Sequence, residues 1–322
     1  MKSISIEHCI WMPALGRKQA LSEHFKASLK TKFPRDSRNR LVASDASESL
    51  QISEAVDHWE LSPRTDSEAF LSWAREFCLR HKVTWIVPTR DAEMLQWARW
   101  NGEHFFEETS ILVSDRALIE SWHGKASAAL WLDQVGLPHP GWFSPENDVQ
   151  RLRGPIIAKP TYGSASQGIF IVRTDSERVS TLGSLVGDYG VQPLIQGPEF
   201  TINLYFDPVG ECRAIIPHRR LETRKGEVSH GITLDDPDLL ELGTRFAAAT
   251  QARARGPINF QVIRDEVGGR LYITDINPRF GGGYPLTHKA GGTFTDWICR
   301  EFLLGESIQD RSWKTGIEFH RT

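Results

Sequence analysis

Two oxygen-bearing side chains and a cation end one predicted strand of this chain. In the segment TDINPRFGGGYPL, Asp275 and Asn277 are two residues apart and Arg279 follows them. Because alternate residues of a strand project to the same face, Asp275 and Asn277 present their oxygens together. Carboxylate and amide oxygens are ligands that Mg²⁺ accepts. The segment therefore predicts a magnesium–phosphate site, although an ordinary strand end with its loop has the same composition.

A lysine and a loop of small residues form a second candidate. GPIIAKP predicts a strand ending near Lys159, TYGSASQG a flexible loop, and IFIVRT the returning strand. Small residues expose backbone N–H groups, and the hydroxyls of Ser164 and Ser166 add donors for anionic oxygens. A plain hairpin turn is the alternative, but it requires fewer small residues than this loop contains. No P-loop or dinucleotide-binding glycine motif occurs in the sequence.

Composition narrows the class of protein. The 322 residues are 40% hydrophobic and 25% charged, which is typical of a globular chain with two or three domains. A net charge of -3 gives no electrostatic argument for a nucleic-acid partner. The four scattered cysteines predict buried free thiols. With no apolar run of membrane-spanning length and no signal segment, we expect no membrane partner and a cytoplasmic location.

Strands and helices alternate in the first third of the chain. SEAFLSWAREFCLRHK and DAEMLQWARW have helical periodicity, and VTWIVPT between them predicts a buried strand. This alternation indicates a parallel sheet with helices on its faces. KTKFPRDSRNR predicts a surface loop, and one helical pattern runs from Leu118 to Val135. The second half contains alternating strands around the helical segment DPDLLELGTRFAAATQARA.

The order of these segments resembles the ATP-grasp superfamily, most closely its carbamoyl-phosphate-synthetase-like and carboxylate–amine ligase branch. The resemblance covers nearly the whole chain and is strongest from Pro155 to Gly292. It implies an α/β fold, in which an N-terminal Rossmann-like parallel sheet precedes a two-subdomain ATP-grasp part of α+β type. The implied domains are 1–116, a small subdomain with the phosphate loop at 117–191, and a subdomain with the metal and phosphoryl site at 192–322.

The same resemblance implies a nucleotide site. ATP and Mg²⁺ would be the cofactors, and Mn²⁺ could replace Mg²⁺. Lys125 and Lys159 would contact the nucleotide phosphates. The loop residues that would close over the phosphates are Gly163, Ser164, Ser166 and Gly168, and the residues that would surround adenine and ribose are Gln192, Leu194, Ile195 and Glu199.

Metal, catalytic and substrate residues are also implied by the resemblance. The metal ligands would be Gln261, Asp275 and Asn277, the catalytic residues Arg279, Lys159 and His230, and the substrate residues Arg220, Arg224, Gly282 and Gly283. For Arg220 and Arg224, a solvated basic hairpin is an equal alternative. Two departures concern this site: the family usually has glutamate where this chain has Asp275, and His123-Gly124 replaces a more usual acidic residue before Lys125.

The implied activity is an ADP-forming ligation. The γ-phosphoryl group of ATP would activate an amino acid or another small carboxylate, and an amine would attack the acyl phosphate. Phosphorylation of carbamate, bicarbonate or a hydroxyl is a second interpretation, and a non-catalytic nucleotide-binding partner protein is a third. Asp91 and Glu93 follow a predicted strand and could hold the amine or cap the next helix. A homo-oligomer is compatible with the sequence.

Overall fold

The computed structural model describes most of the chain, and the described residues form three β-sheets. These residues are 7–16, 18–33, 38–47, 54–103, 106, 108–146, 152–163, 167–185, 187–224 and 226–321. Within them, no helix has both the length and the apolar character needed to span a bilayer.

A parallel sheet opens the fold. Its strands are β1 (Cys9–Met12), β2 (Arg40–Asp45), β3 (His58–Leu61), β4 (Trp85–Ile86) and β5 (Ser110–Ile111), and its helices are α1 (Gln19–Lys32), α2 (Ala69–His81) and α3 (Asp91–Gly102). The strand order is β3-β2-β1-β4-β5. This confirms the predicted Rossmann-like sheet. Because the order reverses between β1 and β4, the carboxyl ends of these two strands border a crevice.

Two local predictions in this region were wrong. Lys30 to Lys32 belong to α1 and not to a surface loop. The single helical pattern is two helices, α4 (Arg116–Trp122) and α5 (Lys125–Gln134), separated at His123-Gly124. Gly124 has a φ of +93°, and a Cβ atom there would lie 2.9 Å from the Tyr162 ring. The backbone turns at this glycine because no other residue fits both the angle and the space.

A small antiparallel sheet follows. It consists of β6 (Ile156–Pro160), β7 (Phe170–Val172) and β8 (Tyr189–Pro193), in the order β7-β6-β8. The predicted hairpin of β6 and β7 is confirmed by their antiparallel pairing. Helix α6 (Asp175–Gly183) begins with a capping box between Thr174 and Glu177. The predicted domain boundary after residue 191 falls inside β8, and the domain limits stay predictions.

The third sheet has six strands and forms the centre of the molecule. They are β9 (Glu199–Phe206), β10 (Cys212–Arg224), β11 (Glu227–Thr233), β12 (Gly256–Arg264), β13 (Leu271–Asn277) and β14 (Glu318–His320), with helices α7 (Pro237–Ala249), α8 (Tyr284–Lys289) and α9 (Phe294–Ile298). The order is β13-β12-β9-β10-β11-β14. A π-helical turn, Cys299–Leu303, follows α9.

One face of the central sheet packs against α7. Phe200, Ile202 and Leu204 alternate along β9 with Thr201 and Asn203. The apolar set belongs to the same buried cluster as three side chains of α7, which are Leu239, Leu242 and Phe246. Alternation then requires the polar set to face the other way. Burial of one face against α7 thus fixes which residues are presented on the opposite face.

Shortening the Phe246 side chain of α7 tests this packing. Phe246 has no exposed surface, and its ring centroid lies 4.4 Å from that of Phe260 on β12. We expect Phe246→Ala to lower the free energy of unfolding by about 3–5 kcal/mol, because it leaves a cavity in the core. Glu241→Ala, on the exposed side of α7, should change it by less than about 0.5 kcal/mol. Urea unfolding measures both, and equal losses would contradict the assigned faces.

Candidate active site

Two rows of polar side chains cross the open face of the central sheet. In the first row, Asp275 lies opposite Gln261, Gln261 opposite Thr201, and Thr201 opposite His218. In the second row, Asn277 lies opposite Asn259, and Asn259 opposite Asn203. Directly opposite residues of antiparallel strands project to the same face. The register therefore gathers oxygen-bearing side chains from β9, β12 and β13 on one surface.

The three predicted metal ligands belong to this surface. Asn277 Nδ2 donates to Asp275 Oδ2 over 3.3 Å, and Gln261 is the cross-strand partner of Asp275. Burial raises the pKa of Asp275, and the charge of Lys125 opposes that rise. A bound cation would favour the ionised carboxylate. One carboxylate and two amide oxygens fit Mg²⁺, which takes oxygen ligands and retains several waters.

Two lysines from the smaller sheet and α5 approach the same surface. The Lys125 backbone N–H donates to Thr161 O, and its Nζ donates to Gly163 O, each over 3.0 Å. Burial lowers the pKa of Lys159, and the charges that act on this lysine include those of Asp275 and Lys125. The charges of both ammonium groups therefore act on Asp275, one of the predicted metal ligands.

The predicted phosphate loop is only partly described. Gly163 lines the cavity next to Lys125, and Gly168 precedes β7 with a φ of +69°. Ser164 and Ser166 lie outside the described residues. The buried Thr161 Oγ1 has no hydrogen-bond partner among the described residues. An unpaired buried hydroxyl at the start of this loop fits a site that receives further oxygen or nitrogen atoms from a ligand.

The predicted adenine and ribose residues surround the connection from β8 to β9. Gln192 is buried, lines the cavity and donates from Nε2 to Gly141 O over 2.7 Å. Leu194 N–H donates to Pro155 O over 3.0 Å, and Ile195 follows it. The Glu199 carboxylate is about half exposed and lies 3.2 Å from Arg220 Nε. A ribose at Glu199 would therefore share this carboxylate with Arg220.

A cavity of about 540 Å³ connects the oxygen surface to the parallel sheet. The central sheet supplies Asp275, Asn277 and Arg279, and α5 supplies Lys125. From the parallel sheet, the wall includes Lys18 after β1, and Arg90 and Asp91 after β4. These positions are the carboxyl ends of the two strands between which the strand order reverses. The cavity is therefore the ligand crevice expected for an open α/β sheet, closed by β13.

Arg279 joins the two sides of this cavity. Its guanidinium pairs with Asp91, and it also donates to Asn277 Oδ1 over 3.3 Å. Burial opposes its charge, but Asp91 holds the pKa of Arg279 above its ordinary value. Asp91 is the first residue of α3, and no side chain caps the start of that helix. The Asp91 carboxylate is instead the partner of the Arg279 guanidinium.

Glu93, two residues later in α3, is only 5% exposed, and this burial raises its pKa.

The other predicted substrate and catalytic residues lie outside the cavity lining. Arg220 is buried beside Glu199, whereas Arg224 is exposed at the end of β10. His230 lies on β11, with Nε2 2.5 Å from Glu318 Oε1. The roles of Arg220, Arg224 and His230 stay predictions.

The two predicted substrate glycines are also outside the lining, but they pack directly behind it. A Cβ atom on Gly282 would lie 2.7 Å from Glu227 Cδ, and one on Gly283 would lie 2.9 Å from His218 Cε1. Glu227 itself lines the cavity. The absence of side chains at these positions thus makes room for Glu227 and His218.

Lys18 is one of the charged cavity residues that the sequence pattern did not single out. Burial, and then repulsion from Arg279, lowers the pKa of Lys18 to about 7. Asp91 and Glu227 oppose this shift but do not cancel it. Near pH 7 the amine is therefore neutral in about half of the molecules. Its position in the connection from β1, the first strand of a doubly wound sheet, to α1 was the signal available in the sequence.

The effect of Lys18 on stability should depend on pH. Its pKa is about 7 in the folded chain and ordinarily 10.5, so the unfolded chain holds the extra proton between these values. The contribution of Lys18 to the free energy of unfolding therefore rises as the pH increases from about 7 to 10.5. We expect Lys18→Met to be more stable than the parent protein below pH 7, with the difference vanishing towards pH 10.5. Unfolding midpoints across this range measure it.

Lys30→Met is the matched control, because Lys30 is an exposed lysine of α1, the helix that Lys18 precedes. It should shift the midpoint little at any pH. The described environment of Lys18 would be contradicted if the unfolding midpoints of both variants depended on pH in the same way.

Comparison with known proteins adds an independent line of evidence. A family model described as "ATP-grasp in the biosynthetic pathway with Ter operon" matches residues 188–321. The carbamoyl phosphate synthase large chain of Clostridium perfringens is 24% identical over 186 residues, which cover 53% of this chain. The alignment covers 17% of that protein, so this chain spans a small part of its length.

Solved structures match over a greater share of the chain. The biotin carboxylase domain of Hydrogenobacter thermophilus 2-oxoglutarate carboxylase, solved with MgADP, ADP and bicarbonate, gives a TM-score of 0.74 at 16% identity, covering 94% of this chain and 71% of that one. The L-amino acid ligase of Bacillus licheniformis gives 0.71 at 16% identity, covering 92% and 74%. At such identities the likeness shows the fold. The sequence matches add that residues 188–321 are similar to an ATP-grasp family and that about half of the chain is similar to carbamoyl phosphate synthase large chains.

Proposed function

We propose that this protein is an ADP-forming ligase that joins a small carboxylate, such as an amino acid, to an amine through an acyl phosphate. The observation that carries the proposal is the position of Arg279. It lies where the oxygen surface of β12 and β13 opens into a crevice lined by Lys18 and Arg90. A nucleotide phosphate on one side of Arg279 and an organic anion on the other would meet at this guanidinium.

The nucleotide would be bound by charge and by the oxygen surface. Lys125 and Lys159 would contact its phosphates, and Glu199 its ribose. Gln261, Asp275 and Asn277 would hold Mg²⁺, which when bound neutralises charge on the phosphate oxygens. Because phosphoryl transfer spreads negative charge over those oxygens, fixed cations in an enclosed site lower its barrier. The principal work of these side chains is therefore positioning and charge neutralisation.

The reaction would proceed in two steps. A carboxylate oxygen of the acid attacks the γ-phosphorus of ATP, the bond to the bridging oxygen breaks, and ADP leaves. The amine then attacks the carbonyl carbon of the acyl phosphate, the C–O bond breaks, and phosphate leaves. Arg279 would stabilise the phosphoryl oxygens in both steps. Lys18, with a pKa of about 7, is placed in the cavity wall to accept the proton that the amine loses.

Two structural neighbours support this class of substrate. The biotin carboxylase domain was solved with bicarbonate, and the other neighbour is named an L-amino acid ligase. The cavity of about 540 Å³ is a suitable size for a small acid and amine beside a phosphoryl group. Its mixture of cationic and acidic side chains suits an acid and an amine better than an apolar molecule.

Trapping the activated acid tests the proposal. We expect ADP to form from Mg·ATP only when a suitable small carboxylate is present, and hydroxylamine to convert the acyl phosphate into a hydroxamate without the natural amine. Amino acids and other small carboxylates, screened singly and in pairs with amines, would identify the substrates. The ligase would be excluded if labelled γ-phosphate remained stably on a hydroxyl group, which is the outcome expected of a kinase. Mg·ATP binding with no ADP release across the screen would instead favour a non-catalytic nucleotide-binding protein.

Removing the charge of Asp275 tests the metal site. Asp275→Asn retains the size of the side chain, so the thermal unfolding midpoint should change little. Turnover should fall about a hundredfold or more, because a group that stabilises transition-state charge is lost. Asp238→Asn, at an exposed position on α7 behind the sheet, should retain the parent rate. Full Mg·ATP-dependent turnover by Asp275→Asn would refute the assigned metal ligand.

A further inference from the structure

A second group of potential metal ligands lies on the far edge of the central sheet. Glu318 Oε1 lies 2.5 Å from His230 Nε2 and 3.4 Å from His320 Nε2. One ligand atom from each of these three residues lies within 4.8 Å of the others. The two imidazole rings are stacked, with centroids 3.7 Å apart. Three side chains of metal-binding type thus converge at one point, outside the proposed active site.

Strand pairing explains why these residues converge. His230 of β11 is the direct antiparallel partner of His320 in β14, and Ile232 is the partner of Glu318. His320 and His230 therefore share a face, and Glu318, two residues before His320, projects to the same side. The arrangement follows from the backbone register and does not require a rare side-chain conformation.

The spacing suits a small transition-metal ion. Zn²⁺ binds imidazole nitrogen and carboxylate oxygen at about 2.0–2.2 Å, which places neighbouring ligand atoms of a tetrahedral site roughly 3.3 Å apart. The separation of Glu318 and His320 already has this value within 0.1 Å, and the shorter hydrogen bond to His230 would open when a metal replaced its proton. Two imidazoles and a carboxylate favour Zn²⁺ or a similar ion over Mg²⁺, which prefers oxygen ligands.

A second cluster of the same composition provides a contrast within the chain. His58 and His81 both contact Glu60 Oε1, at 2.9 Å and 2.8 Å. Arg80 also forms a two-pronged ion pair with the Glu60 carboxylate, at 2.9 Å and 3.0 Å. A guanidinium in this position neutralises the carboxylate and repels a metal ion. At Glu318 the nearby Lys289 ammonium instead donates to the backbone carbonyl, so the carboxylate oxygens remain available to a metal.

The C-terminal strand connects this cluster to the cavity wall. Arg321, directly after β14, donates to Glu227 Oε2 over 2.7 Å and to Gly282 O over 2.8 Å. Glu227 lines the cavity, and Gly282 belongs to the glycine segment behind it. β14 has three residues and pairs with a single strand. A link between β11 and β14 would therefore hold Arg321, and through it Glu227, in position.

From these observations we propose that His230, Glu318 and His320 bind a divalent transition-metal ion of the Zn²⁺ type. The ion fastens β14 to β11 and so orders the wall of the cavity near Glu227. Its role is structural, and it is separate from the Mg²⁺ proposed to bind at Asp275. The described residues supply three ligands at this place, and water completes the coordination; the usual structural zinc site differs in having four protein ligands.

Cobalt titration of the whole 322-residue chain tests the site. Co²⁺ serves as a coloured probe, in excess Mg²⁺, without nucleotide and on an Asp275→Asn background, so that the proposed nucleotide site does not contribute. We expect one Co²⁺ per chain, with visible absorption typical of nitrogen and oxygen ligands and displacement by Zn²⁺. His320→Ala should weaken binding about a hundredfold or more, because even the loss of a group that only supports a ligand costs 10–100-fold. His320 is exposed, so this replacement does not disturb the core.

His58→Ala is the matched control. It removes an imidazole from the second cluster, in which Arg80 forms an ion pair with the Glu60 carboxylate. It should leave Co²⁺ affinity unchanged. Zn²⁺ should also raise the thermal midpoint of the parent chain but not that of His320→Ala, as expected for a ligand of the native state. Equal Co²⁺ affinity in the parent and His320→Ala proteins, or loss of binding in His58→Ala alone, would overturn the proposal.

Discussion

Strand β9 buries alternate residues against α7, and this alternation determines where every polar residue of the sheet points. Phe200 and Ile202 face the core, so Thr201 and Asn203 face the opposite surface together with Gln261 and Asp275. A slip of one residue in the register would turn the polar set towards α7 and the apolar set towards the opposite face. The packing that stabilises the sheet is therefore the same constraint that places the proposed metal ligands on its open face.

An ion pair stabilises one of the buried cations around the cavity, whereas burial lowers the pKa of two others. Asp91 pairs with Arg279, whereas Lys18 keeps a pKa of only about 7 because burial and Arg279 outweigh the nearby acids. Burial likewise lowers the pKa of Lys159. Cations that are costly to bury become stabilised when an anion binds beside them. An anionic ligand thus relieves an unfavourable feature of the free protein, which is consistent with a phosphate-binding and carboxylate-binding site.

Patterns in the sequence predicted the parallel sheet and the common face of Asp275 and Asn277, because alternation is a local property. The grouping of Gln261 with these two residues was implied only by the family resemblance. The sequence did not predict the break between α4 and α5, which depends on the contact of Gly124 with Tyr162. Nor did it identify Lys18, whose pKa is lowered first by burial and then by Arg279, both of which depend on residues far along the chain. The contact of His230 with His320 was missed for the same reason, since a three-residue strand at the sheet edge leaves almost no pattern in the sequence.

The most direct test of the proposed nucleotide site is a crystal structure with Mg²⁺ and a non-hydrolysable ATP analogue. The fold predicts that the triphosphate lies against Lys125 and Lys159, that the metal contacts Asp275 and Asn277, and that the terminal phosphate approaches Arg279. A nucleotide bound elsewhere, or a metal that does not contact Asp275, would contradict the assignment of the open face of the central sheet as the catalytic surface.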